Sequence, residues 1–108
     1  TGDTTLRAVI DASVAITGAE VEVVEVDPRF LVEHGVGEWM ELPLWIDERE
    51  VDHRAFMGVR TDRALAAGLA FRPLAETVAA TLEDAAPVDG VGLTPAREAE
   101  LITGWRAR

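Results

Sequence analysis

The chain contains no cysteine. A disulfide framework, a thiolate metal site and a cysteine nucleophile are therefore excluded. It contains no lysine either, which removes Schiff-base chemistry and the lysine of a phosphate-binding loop. Tyrosine, asparagine and glutamine are absent, and Ser13 is the only serine. An enzyme built from this chain alone would have to work with carboxylates, arginine, threonine and two histidines. No apolar run approaches the roughly 20 residues that a membrane helix needs. No basic-then-apolar leader pattern opens the chain, so a cytoplasmic protein without membrane contact is expected. The ten cations are all arginine and face twenty Asp and Glu, for a net charge of −10. Such a surface repels phosphate backbones, and no nucleic-acid partner is expected.

What is present amounts to 108 residues and 11.7 kDa. That is enough for one small domain spanning 1–108, or for a piece of a larger protein. Leu6, Val9, Ile10 and Val14 recur at helical spacing and predict a helix over Thr4–Thr17, capped by Thr4 and stopped by Gly18. Glu20–Asp27 is the best strand candidate, with β-branched residues at Val21, Val23, Val24 and Val26. Its alternation changes phase at Val24, as a bulge or a strand buried on both faces would require. Asp27-Pro28 is a cap followed by a first-turn proline, and Gly35 ends that helix. The stretch 36–46 is dense in large apolar groups, and Pro43 keeps it from being a regular helix. It reads as an extended segment or loop. A short helical turn is expected over His53–Met57. Thr61 or Asp62 caps a helix through Ala67, with Gly68 as its stop. Pro73 opens a helix to about Ala85, where Leu74, Val78 and Leu82 share a face and are expected to pack on Leu6, Val9 and Ile10. Thr94-Pro95 starts the last helix, striped by Leu101, Ile102 and Trp105. The order gives an α+β class, a small helix-rich domain with one or two short strands.

Catalytic constellations are weak. Ser13 with His34 or His53 and an aspartate names the residue types of a nucleophilic triad, but Ser13 lies mid-helix without a nucleophile elbow. His34 and His53 with nearby carboxylates have no ligand-like spacing, and solvated histidines are the simpler reading. Gly35-Val36-Gly37 and Gly90-Val91-Gly92 lack the third glycine and the strand-to-helix setting of a dinucleotide fingerprint. No catalytic, cofactor-binding or metal-binding residue is therefore assigned. The specialised stretch is Trp39-Met40-Glu41-Leu42-Pro43-Leu44-Trp45. Two Trp, a proline and one carboxylate suit an apolar contact surface with a polar handle, and equally suit core packing under a loop.

The ordered set Arg63-Ala64-Leu65-Ala66-Ala67-Gly68-Leu69-Ala70-Phe71-Arg72-Pro73-Leu74-Ala75-Glu76-Thr77-Val78, then Thr81-Leu82, resembles the C-terminal end of the NAD(P)-dependent epimerase/dehydratase family, the extended short-chain dehydrogenases/reductases. Glu41-Leu42-Pro43-Leu44-Trp45 and Gly92-Leu93-Thr94-Pro95 with Glu98, Glu100, Leu101 and Trp105 are similar to a bacterial, reductase-like subgroup of it. The resemblance runs from about Thr4 onward. It implies the small C-terminal domain that closes over substrate, cut from a larger Rossmann-type enzyme that uses NAD or NADP. The glycine-rich loop and the Tyr-x-x-x-Lys pair of that enzyme have no counterpart here, so the chain binds no cofactor itself. The implied partners are the missing N-terminal Rossmann domain and a small-molecule substrate, with Trp39, Glu41, Leu42, Pro43 and Trp45 as substrate-binding residues. The implied function is the substrate-binding portion of an oxidoreductase or epimerase/dehydratase, not catalytic alone. Abundant Ala, Val and Arg fit a bacterial, GC-rich source. The alternative is a small acidic interaction module that docks a protein partner through its Trp-rich segment. Either reading leaves an apolar surface over 39–46 that seeks cover, by a partner or by homo-oligomerisation.

Overall fold

The computed structural model describes residues 4–49, 53, 55–56 and 58–108. Among them the chain is helix-rich, with five α-helices and one isolated β-bridge, between Glu38 and Leu42. Its contacts gather into two units, residues 1–22 with 55–87 and residues 23–54 with 88–108.

The first unit holds α1 (Leu6–Thr17), α3 (Asp62–Ala66) and α4 (Leu74–Asp84). The start of α1 is one residue later than Thr4 as a cap would place it. Thr5 is the cap, and its side chain accepts the Ala8 N–H at 3.1 Å. Gly18, at φ 67°, turns the chain out of α1 and returns its N–H to Val14 O. Gly68 does the same for α3, where Leu69 N–H reaches back to Ala64 O and Gly68 N–H to Leu65 O, closing a Schellman motif. Helices α1 and α4 pack on each other as their apolar spacing predicts. The packing is shallower than that spacing implies. Val9, Ile10, Leu74 and Val78 are half-buried, while Leu6 and Leu82, at the helix ends, are exposed. No residue of the three helices is fully shielded from water.

The second unit holds α2 (Pro28–Glu33) and α5 (Pro95–Arg106). Asp27 accepts the Arg29 N–H at 2.8 Å, and Thr94 accepts the Arg97 N–H at 3.2 Å. Each cap thus supplies one of the acceptors that the first helical turn lacks, with proline next in line. The end of α2 is another Schellman motif: Gly35 at φ 68° bonds Val32 O, and Val36 N–H bonds Leu31 O. Its accompanying apolar contact is the start of the core. Phe30, Leu31, Val36 and Leu101 are buried, with Val26, Leu42, Trp45, Leu93 and Trp105 packed around them. Burial of each such side chain is worth about 1.5–3 kcal/mol. Phe30 meets Trp105 edge-on at 5.3 Å between centroids.

The helix-rich part of the α+β expectation holds, but the strand over Glu20–Asp27 does not form. Residues 20–27 run without a ladder. A lone β-branched segment pairs only if a second strand offers its N–H and C=O groups, and no strand exists among the described residues. Val21 and Val23 consequently face solvent, and only Val24 and Val26 are half-buried. The helical turn expected over His53–Met57 falls largely outside the described residues.

Candidate functional site

Residues 36–47 of the second unit form a closed loop held by backbone and side-chain bonds. Trp39 N–H reaches Trp45 O at 3.1 Å, Trp45 N–H reaches Leu42 O at 3.1 Å, and Glu41 N–H reaches Gly37 O at 3.3 Å. Met40 N–H bonds Glu38 O at 2.6 Å, so Trp39 is the centre of a three-residue turn. Trp39 there takes φ 64°, and Leu44 takes φ 67°. Both lie in the left-handed region, which costs a side chain about 1–2 kcal/mol relative to the right-handed one. The loop is tied to the 88–92 turn by Gly92 N–H on Met40 O at 2.7 Å.

Two carboxylates lock this loop, and a third pairs with Arg49 just beyond its end. Glu41 Oε2 accepts the Gly37 N–H at 2.5 Å. A Cβ added at Gly37 would stand 3.1 Å from that oxygen, so glycine makes room for the bond. Glu38 Oε1 accepts the Asp47 N–H. Asp47 is buried, and its carboxylate takes the Arg49 guanidinium at 2.6 Å from Nη2 and 2.8 Å from Nε. These bonds from Arg49 hold the Asp47 carboxyl down to about 2, against the opposing effect of its own burial.

The five residues expected to bind substrate divide. Leu42 and Trp45 turn inward and pack on the core. Glu41 accepts the Gly37 N–H through Oε2. Trp39 and Pro43 face outward, Trp39 at 46% exposure. Met40 and Leu44, which the sequence reading did not place among the contact residues, stand outward beside them, at 56% and 47%. No signal in the residue types sorts them, because the sides are set by the left-handed backbone at Trp39 and Leu44.

The other candidates have structural roles. Ser13 belongs to the first unit, and its hydroxyl donates to Val9 O at 2.8 Å. His34 closes α2, with Nδ1 2.8 Å from Phe30 O and its ring stacked on Phe30 at 3.8 Å. His53 Nδ1 is shielded from water and has no hydrogen-bond partner among the described residues. Among the described residues no cluster of three His, Asp or Glu could hold a metal ion. The first unit carries an open depression of about 370 Å³ lined by Arg72, Ala80, Thr81, Asp84 and Ala85. No helix among the described residues is long and apolar enough to cross a membrane.

Comparison of the chain with protein families, characterised proteins and solved structures returns no match.

Proposed function

We propose that this chain is the substrate-binding portion of a cytoplasmic, NAD(P)-dependent oxidoreductase or epimerase/dehydratase, without catalytic power of its own. Its 36–47 loop is the surface that meets the missing Rossmann domain or the substrate. The observation that carries the reading is the loop's outward face. Trp39, Met40 and Leu44 are held in water by a network of carboxylates and backbone bonds, although a core that could take apolar groups lies beside them. The ordered set from Arg63 to Leu82 supports the enzyme family, and the absence of Tyr and Lys supports a non-catalytic role. The test is the reading frame upstream of Thr1. A glycine-rich strand–turn–helix followed by Tyr-x-x-x-Lys supports the proposal, and a frame that opens directly before Thr1 overturns it.

The same outward face favours a second reading, an acidic interaction module. Its net charge of −10 and its projecting Trp and Met suit a surface that recognises protein.

A further inference from the structure

We infer that the occupant of the 36–47 surface is a cationic protein segment, one that places apolar side chains between arginines or lysines. The inference rests on the reading of this loop as a contact surface and goes on to name the chemistry of what it contacts.

The loop is tied to a second element that exposes apolar groups. The Gly92–Met40 hydrogen bond holds the 88–92 turn against the loop, and that turn exposes Val91 at 49%, with Val88 just ahead of it at 69%. An element from a distant part of the sequence thus exposes apolar side chains where it is bonded to this loop. Trp39 and Leu44 hold left-handed φ values where glycine would sit without strain. Large apolar side chains kept at strained, exposed positions mark a functional surface more than a structural one.

The charge around them selects the occupant. Residues 33–49 carry five carboxylates and one arginine. That arginine, Arg49, is bound to Asp47. Glu38 and Glu41 accept backbone N–H groups, which leaves their negative charge in place. Exposed Asp89 adds to it from the turn. A phosphate- or carboxylate-bearing ligand would be repelled. A second copy of this chain would bring the same negative surface against itself. A segment with basic groups around an apolar centre is attracted.

The experiment titrates the chain with three synthetic amphipathic peptides, read by calorimetry. They share Leu and Trp at every apolar position and carry Arg, Gln or Glu at every polar one. The Arg peptide is expected to bind about tenfold more tightly than the Gln peptide, with affinity that falls as salt rises. The Glu peptide is expected not to bind. Leu44→Gly removes the apolar side chain while relieving its backbone, so it should fold at least as well and bind about tenfold more weakly. Glu48→Arg should weaken the Arg peptide alone. Equal binding of the Arg and Gln peptides, with loss in Leu44→Gly, would leave the contact surface standing and overturn its cationic occupant. Arg-peptide binding indifferent to Leu44→Gly would show bulk charge attraction and overturn the docking site. No binding by any peptide overturns this inference, while the contact-surface reading beneath it stands or falls with the upstream reading frame.

Discussion

Leu101→Ala probes the second unit at its centre. Leu101 is 6% exposed and belongs to a core of four buried apolar side chains. Truncation of a buried Leu costs about 2–5 kcal/mol, from lost transfer energy and the cavity left behind. The lower half of that range applies here. Leu93, Trp45 and Trp105 are only half-buried around the core and have room to settle into the space. A loss of about 2–3 kcal/mol is a large part of what a unit of this size holds in reserve, on the order of 3–8 kcal/mol. The assay is urea unfolding followed by tryptophan fluorescence. Trp39, Trp45 and Trp105 all lie in the second unit, so the signal reports on it alone. With a slope near 1 kcal/mol per molar urea, the midpoint should fall by about 2–3 M. Val32→Ala, on the exposed side of α2, is the matched control and should move stability by no more than about 0.5 kcal/mol. If the two variants shift the midpoint equally, the core assignment is wrong.

Asp47 gives a pH dependence of definite sign. Its folded value of about 2 lies below the ordinary 3.8, so its bond with Arg49 stabilises the loop fully above pH 3.8 and is lost as pH falls through 2. Trp fluorescence between those limits should show a loosening that Asp47→Asn removes, and an identical acid profile in that variant would refute it. Gly35→Ala places a Cβ at φ 68° and should cost about 1 kcal/mol in the same urea assay. Val78→Asp sets a carboxylate against α1 in the first unit, and circular dichroism should register about 1–3 kcal/mol of destabilisation. Calorimetry with NADH or NADPH should show no binding by this chain, and a low-micromolar dissociation constant would contradict the proposed role.

The helix boundaries were readable because they depend on neighbours in sequence. Asp27-Pro28 and Thr94-Pro95 act through side chains two or three residues from the N–H they satisfy, and Gly18, Gly35 and Gly68 act through their own φ. The strand over 20–27 was misread for the opposite reason: β-branched residues favour an extended chain, but a ladder needs a partner elsewhere in the chain. Leu6 and Leu82 are exposed although they share the apolar face, because periodicity marks the face of a helix and not how far its neighbour extends along it. In the loop, composition marked 39–45 as special without sorting its sides. Trp39 and Trp45 are the same residue type six positions apart, yet one is exposed and the other packs on the core. The sorting follows from the left-handed turns at Trp39 and Leu44, and nothing in the residue types signals a left-handed Trp or Leu. The carboxylate locks were invisible for a related cause, since Glu38 reaches its N–H partner nine residues away.

The claim on which the function rests is that the 36–47 loop presents Trp39 outward while Trp45 and Trp105 stay with the core. Fluorine NMR of the chain labelled with 5-fluorotryptophan tests it directly, through the shift of each resonance between H2O and D2O. The resonance that disappears in Trp39→Phe should carry by far the largest solvent shift of the three indoles. A Trp39 resonance as insensitive to solvent as that of Trp45 would contradict the account and leave the loop as part of the core.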